Sequence, residues 1–424
     1  MSRIILHSDL NGFYASVECF SNPKIRQFPV VVGGDEQARH GIVLAKNEIA
    51  KKAGIITGES LWQARIKCPN LVSVPPDFDK YLKFSRLARD IYEHYTDQVE
   101  SFGIDECWLD VTASTRLFGT GEEIANDIRA RIKCEMGITA SIGVSFNKIY
   151  AKLASDMKKP DATTLISQDN YQKKIWHLPA SDLLYVGKST KKKLQRYGIH
   201  TIGQLANTER NFLKNHLGSW GMVLHTFANG GDLSPVKLKG EENFIKSVGN
   251  SITLHRDIHS LTDIKRVFYL LSESVASRLR EHGLKATTIQ ISIGDNEFIS
   301  CDRQEKLNHP TFLTTEIATK SMDIFLKKYH FSNPVRRLGV RASQLEPMKK
   351  PTQLDFFTDH AKRCRLEKLE QTIDKIRHRY GYDMIKRGIL WEDAKLTGSN
   401  VKDEHTIHPV HFFDGKIIPD YVLK

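Results

Sequence analysis

Cysteine is scarce and poorly placed for its usual structural roles. Cys19, Cys68, Cys107, Cys134, Cys301 and Cys364 are scattered over 424 residues without a CxxC pair, which argues against a zinc site or a disulfide framework and leaves reduced thiols. No uncharged apolar run approaches the roughly 18 residues needed to span a bilayer, so no membrane partner is expected. The opening MSRIILHSDLNGFYASVE lacks a long apolar core followed by a small-residue cleavage site, and a cytoplasmic location is expected. Long internal repeats and low-complexity tracts are missing as well, which removes repeat architectures. Acidic residues fall short of basic ones, 50 against 62, for a net charge of +12. That balance suggests a polyanionic partner such as nucleic acid.

What remains is a chain long enough for two to four folding units. RIILHS reads as a strand that stops at Asp9, followed by an acidic turn and a helix through Phe13, Val17 and Phe20. FPVVVGGD is a strand closed by glycines, and GIVLAKNEIAKKAGI starts extended and becomes helical near Asn47. Residues 79–95 place Tyr81, Phe84, Ala88, Ile91, Tyr92 and Tyr95 on one helical face. CWLDVTAS, led by SFGIDE, and ITASIGVSF are strands flanking the helical GEEIANDIRARIKCEM. Asn147 opens a further helix, NKIYAKLASDM, that ends before Pro160.

From Tyr171 to Gly230 short helices are broken by glycines, which predicts a small helical domain. SPVKLKGEEN has little to bury and reads as a linker. Beyond it VGNSITL, ATTIQISIG, NEFISC and VRRLGVRAS are strand-like and alternate with two helical stretches, so an α+β sheet with two helices is expected. Residues 347–391 hold eleven Lys or Arg against six Asp or Glu, within a helical AKRCRLEKLEQTIDKIRHRYG that either touches DNA or packs on the body.

The chemistry concentrates in acids beside strands. Asp9, Asp105 and Glu106 repel one another unless neutralised, and magnesium takes carboxylate oxygens while leaving positions for water and phosphate. Two such ions suit phosphoryl transfer. The same acids are compatible with Asp9 capping the next helix and IDE forming a solvated turn. Lys159, Lys51 and Lys52 are candidates to balance a triphosphate, or hydrated surface charges. In LLYVGKSTKKKLQRYGI a turn at Val186, Gly187 and Lys188 feeds a helix start whose free amides suit phosphate. Arg337 and Arg341 share one side of a strand and Arg336 faces opposite, which serves either DNA or edge protection.

Taken in order, DLNGFYASVE, PVVVGG, GIVLAKN, SFGIDECWLDVT and GVSFNKIYAKLASDMKKP resemble the Y-family translesion DNA polymerases, closest to the DNA polymerase IV branch, over residues 1–346. The resemblance implies an α+β, multidomain right-hand polymerase. Its palm covers 1–10 and 75–166, its fingers 11–74, its helical thumb 167–233, and its α+β little finger 246–346 after a linker at 234–245. An extension, 347–424, follows.

It further implies that Asp9, Asp105 and Glu106, with the Leu10 carbonyl, hold two Mg²⁺ ions. Tyr14 is implied as the steric gate, and Phe13, Ala45, Glu48, Lys51 and Lys159 as nucleotide-binding residues. Val186–Lys188 matches a hairpin for primer phosphates, and Arg336, Arg337 and Arg341 are assigned to DNA. The implied partners of a monomer are primer–template DNA, dNTP and a sliding clamp, the last held by QLDFF through Gln353, Leu354, Phe356 and Phe357.

Glu48 and Lys51 stand where the family commonly has tyrosine and arginine, and Ala45 replaces the frequent Ser or Thr. Weaker nucleotide binding is expected unless Glu48 turns aside to pair with Lys51 or Lys52. A catalytically weak or inactive DNA- and clamp-binding homologue and a nucleotide cyclase are the alternatives. His405, His408 and His411 surround Pro409 without a ligand set.

Overall fold

Ile5–Leu10 (β1) is a strand with every residue buried, and His7, Ser8 and Asp9 are polar within it. Apolar residues ordinarily fill such a position, so the polar run marks the place where sheet and site meet. The fold is taken from a computed structural model that describes residues 3–35, 41–241, 245–330, 333–350 and 359–398. QLDFF and the three tail histidines lie outside the described residues. The described chain forms two units, 3–34 with 42–241, and 245–398 with 35 and 41.

In the first unit β1 is the centre of a five-stranded sheet with Val99–Ser101 (β5), Glu106–Asp110 (β6), Ala140–Ser145 (β7) and Thr163–Leu165 (β8), ordered β5-β6-β1-β7-β8. β1 runs antiparallel to β6 and β7. Val30–Gly33 (β2), Val43–Lys46 (β3) and Val72–Val74 (β4) make a second, three-stranded sheet. Helices Phe13–Ser21 (α1), Glu48–Lys52 (α2), Leu61–Lys67 (α3), Phe78–Glu93 (α4), Thr115–Phe118 (α5), Gly121–Met136 (α6) and Lys148–Met157 (α7) surround these sheets. Five short helices follow, Tyr171–Ile175 (α8), Lys188–Arg196 (α9), Ile202–Asn207 (α10), Arg210–Leu217 (α11) and Ser219–Ala228 (α12), around a core of leucine, isoleucine and Phe227.

The strand does not stop at Asp9 as the apolar run suggested. It continues to Leu10, and Asp9 pairs with Glu106 on one side and Ser141 on the other. Two neighbouring strands supply the backbone hydrogen bonds that override the polarity of this residue. The 234–245 segment differs from expectation too. Val236 is buried, Gln98 donates to its carbonyl, and the Lys237 and Lys239 amides bond to Glu100 and Asp97. This covers the outer edge of β5, which would otherwise expose unpaired backbone.

The second unit is an antiparallel sheet of Ser247–Ile258 (β9), Leu284–Asp295 (β10), Ser300–Thr311 (β11) and Val335–Pro347 (β12), ordered β11-β10-β12-β9. Leu261–Glu281 (α13) and Thr314–Lys328 (α14) cover one face, and His360–Tyr380 (α15) and Ala394–Thr397 (α16) complete the unit. NEFISC proves to be mostly turn. The strand is the polar SCDRQEKLNHPT that follows, paired along β10. An edge strand with one wet face has no apolar run to betray it. Among the described residues no helix is long and apolar enough to cross a membrane.

Candidate active site

Directly opposed residues of antiparallel strands point to the same face. The pairs Asp9 with Glu106 and His7 with Trp108 therefore lie in a row on one face of the sheet. Helix α7 lies across that row. Its closeness has a specific cause, since a Cβ on Gly143 of β7 would sit 1.9 Å from the Ala151 carbonyl oxygen and 2.5 Å from the Ser155 amide. With glycine there, Lys148, Lys152 and Ser155 reach the row.

Lys148 forms a buried ion pair with Glu100 at 2.7 Å and its ammonium sits 4.6 Å from the Trp108 ring centre. Lys152 Nζ lies 2.8 Å from Glu106 and 3.5 Å from Asp9. The Ser155 hydroxyl donates to the Lys152 carbonyl and lies 2.9 Å from His7 Nδ1. That leaves His7 Nε2 facing Glu106 Oε2 at 3.3 Å, both atoms buried.

Lys159 enters from beyond the end of α7. Its Nζ donates to Asp9 Oδ2 at 2.7 Å and is 2.6 Å from Asp156. The turn that carries it is pinned by Asn11, whose carboxamide oxygen accepts from the Asp161 amide and whose nitrogen donates to Ser141. Asp105 stands immediately before β6, and its carbonyl accepts from the Leu10 amide at 3.1 Å. Leu10 itself is buried and places its side chain in the core.

The electrostatics are unbalanced. Burial pushes the Asp105 carboxyl up to about 7, and the charges of Asp9 and Glu106 push the same way. Asp9 is raised by burial despite the Lys159 ammonium beside it. Burial would raise Glu106 too, but the His7 ring and Lys152 more than offset it and hold the carboxyl down at about 2. Three hard oxygen donor groups sharing one corner of a sheet suit a divalent cation. Among the described residues no three acidic, histidine or cysteine groups converge as a ready ligand cluster. The Lys152 ammonium instead stands between Asp9 and Glu106 and offsets part of their charge.

Tyr14 stacks on Tyr81 with ring centres 4.3 Å apart and planes 13° from parallel. The Tyr81 hydroxyl donates to the buried Glu18 carboxylate at 2.8 Å. Burial pushes the Tyr14 hydroxyl up to about 12, with a contribution from the Asp105 charge. The ring is therefore held neutral and close to the acids. Phe13 is buried in the core, where it supports Tyr14 and Tyr81 from below. Gly12, left-handed at φ 51°, opens α1, and a Cβ there would meet the Lys46 carbonyl at 2.8 Å. This brings the end of β3 against the start of α1.

Ala45 is half-buried on β3, while Glu48 and Lys51 pair with each other at 3.4 Å on the exposed surface of α2. Val186 is buried, and Gly187 caps α9 without a side-chain hydrogen bond to its first amides. In the second unit, Arg337 and Arg341 point to the face of the sheet away from α13 and α14, opposite Gly294 and Gln290. Arg336 lies over the Phe298 ring instead.

Sequence reasoning missed Lys152, His7, Asn11 and Tyr81. A signal for two of them was present. Lys148, Lys152 and Asp156 recur every fourth residue on one stripe of an otherwise apolar helix, and His7 precedes Asp9 by two on one strand face.

The chain matches the model of the impB/mucB/samB family over residues 8–156 and that of its C-terminal domain over 245–356. It is 54% identical over 396 residues to the DNA polymerase IV of Acetivibrio thermocellus, covering 93% of this chain and 99% of that protein. It is 37% identical to the DNA polymerase IV 1 of Bacillus subtilis, covering 94% and 96%. A Y-family DNA polymerase chimera superposes with a TM-score of 0.70 at 23% identity, covering 80% of this chain and 98% of the other. Family matches in both units and coverage of nearly the whole length of its relatives leave one assignment: the chain belongs to the impB/mucB/samB family, among relatives named DNA polymerase IV.

Proposed function

We propose that the protein is a template-directed DNA polymerase that adds deoxynucleotides to a primer 3′-hydroxyl with low selectivity, opposite damaged or distorted templates. The single observation that carries this is the register of β1 on β6, which sets Asp9 beside Glu106, with Asp105 next in chain and Lys152 and Lys159 around them. In this reading residues 1–10 and 75–166 form the palm, 11–74 the fingers, 167–233 the thumb and 246–346 the little finger.

Asp9, Asp105, Glu106 and the Leu10 carbonyl are the residues that would hold the metal ions. Two Mg²⁺ ions held there would supply charge neutralisation for attack of the primer 3′-hydroxyl on the α-phosphorus with pyrophosphate leaving. The chain's own part is positioning. Lys159 and Lys152 pair with the carboxylates and are free to turn to a triphosphate once those carboxylates are otherwise neutralised. The Tyr14 ring, fixed by Tyr81, blocks a ribose 2′-hydroxyl by contact. Val186–Lys188 and the start of α9 offer amides to primer phosphates, and Arg337 and Arg341 supply phosphate contacts from the sheet face. Residues 353–357 are proposed to dock on a sliding clamp. Pull-down by the Leu354→Ala/Phe356→Ala variant should fail, and undiminished capture would remove that partner.

Primer extension on one DNA template with Mg²⁺ tests the central reading. Wild type should extend, and Asp105→Ala/Glu106→Ala should lose at least a thousandfold while still binding the primer–template. Extension that survives the double substitution, or is absent from wild type, rejects it.

A further inference from the structure

Helix α15 segregates its charge with unusual completeness. Its three acids all turn inward or sideways to arginine. Asp374 is held by Arg280 of α13, with Nη2 donating to Oδ1 at 2.8 Å. Glu370, buried, accepts from Thr314 at 2.9 Å and pairs with Arg280 at 3.2 Å and with Arg387. Glu367 faces Arg363 at 3.9 Å. Arg377 completes this inner side with a 2.8 Å bond to buried Glu273. The helix thus packs on the body of the second unit, against the side of α13 that carries Glu273, Ser277 and Arg280.

The outer side is different. Arg365, Lys368, Lys375 and Arg379 are exposed and, at 100° per residue, fall within an arc of about 80° opposite the packed side. None has an ion-pair partner among the described residues; Arg379 only stacks on the neighbouring Tyr380. The surface helices α14 and α6 look otherwise, pairing Lys327 with Asp323 and Arg131 with Glu135, each four residues apart, whereas α9 in the first unit carries a similar acid-free set of cations. The stripe runs about 21 Å, the rise of about six base pairs.

Within the second unit the stripe lies on the helix side, while Arg337 and Arg341 project from the other face of the sheet, so one straight duplex does not meet both surfaces. We propose that the outer stripe of α15 is a second, sequence-independent binding surface for the phosphate backbone of duplex DNA, separate from the surface that holds primer–template. A regular row of unpaired cations with no acid among them matches a line of phosphates and attracts it through counterion release. Such a surface keeps the protein on DNA when its synthetic site is empty or occupied.

The test uses the full chain preloaded with a saturating unlabelled primer–template, and a labelled blunt 16-base-pair duplex as probe. Wild type should bind the probe in low salt and lose it steeply as salt rises. R365A/K368A/K375A/R379A should weaken probe binding at least tenfold and flatten the salt slope by about 3, with an unchanged melting temperature, because these side chains support nothing else. R365K/R379K should keep most of the binding, since charge and not geometry is read. Probe binding equal in wild type and the fourfold variant overturns the proposal. So does a wild type that binds poly-glutamate but not the duplex.

Discussion

At the scale of single residues, the site is dominated by a carboxylate held against its preference. Asp105 has a folded-state pKa raised from 3.8 to about 7, so between those values the native state keeps a proton that the unfolded chain releases. Stability contributed at this position is therefore lost as pH rises from about 4 to 7, and above 7 the ionised group is a standing cost. Asp105→Asn should stabilise the metal-free protein at pH 8 by on the order of 1–3 kcal/mol, and should be close to neutral at pH 4. Magnesium should raise the melting temperature of wild type at pH 8 more than that of the variant. A variant no more stable than wild type at pH 8 would sink the account.

Glu48 is a second residue whose charge matters. Its 3.4 Å pair with Lys51 is exposed on both sides, and such pairs are worth about 0.2–1 kcal/mol. Glu48→Gln releases Lys51 and removes a negative charge, so single-turnover incorporation should show nucleotide binding about two- to fivefold tighter at unchanged maximal rate. No gain would mean that α2 does not reach the triphosphate.

At the scale of elements, the active-site corner depends on how closely a helix can approach a sheet. Helix α7 and the strands β1, β6 and β7 were legible because their apolar residues alternate with the correct period. The join between them was not, because periodicity says nothing about which strand residue a helix touches. Asp9, Asp105 and Glu106 could be picked out as acids next to strands, yet the register that sets Asp9 across from Glu106 is a property of backbone pairing over β1 and β6. Lys152 was unread for the same reason, its partners lying 143 and 46 positions away along the chain.

The β11 strand and Val236 failed differently. A polar edge strand and one valine in a polar stretch carry too little apolar signal to outweigh their surroundings. Gly143 tests the join directly, because the atoms a Cβ would strike, the Ala151 carbonyl and the Ser155 amide, are backbone and have no rotamer to escape into. Gly143→Ala should lower the denaturant midpoint by an equivalent of about 2–3 kcal/mol. It should also move Lys152 and Ser155 off the acids and cut primer extension at least tenfold. Equal extension rates would show that α7 can ride further from the sheet without harm.

At the scale of the whole molecule, an excess of twelve positive charges says that a polyanion is attracted but not where it is held. The structure sorts the charge into exposed surfaces and internal pairs. Lys148, Arg280 and Arg377 belong to the second group, each buried against an acid, and they contribute nothing to steering. Arg337 and Arg341 belong to the first, exposed on a sheet face where their near neighbours Gly339, Ser251 and Ser292 are small and uncharged, with Asp302 and Lys306 further out on β11. Small residues around the two arginines suit a phosphate backbone approached closely and without base reading.

Arg337→Ala/Arg341→Ala should therefore weaken primer–template binding by a similar factor on unrelated sequences, and reduce the slope of log affinity against log salt by about 2. Measured by fluorescence anisotropy across a salt series, R365A/K368A/K375A/R379A should leave that primer–template slope essentially unchanged, because its cations lie on the other side of the unit and touch different phosphates. A fourfold variant that lowers the primer–template slope as well would mean that both sets of cations serve one DNA segment, and the division of the second unit into two cationic faces would lose its functional meaning.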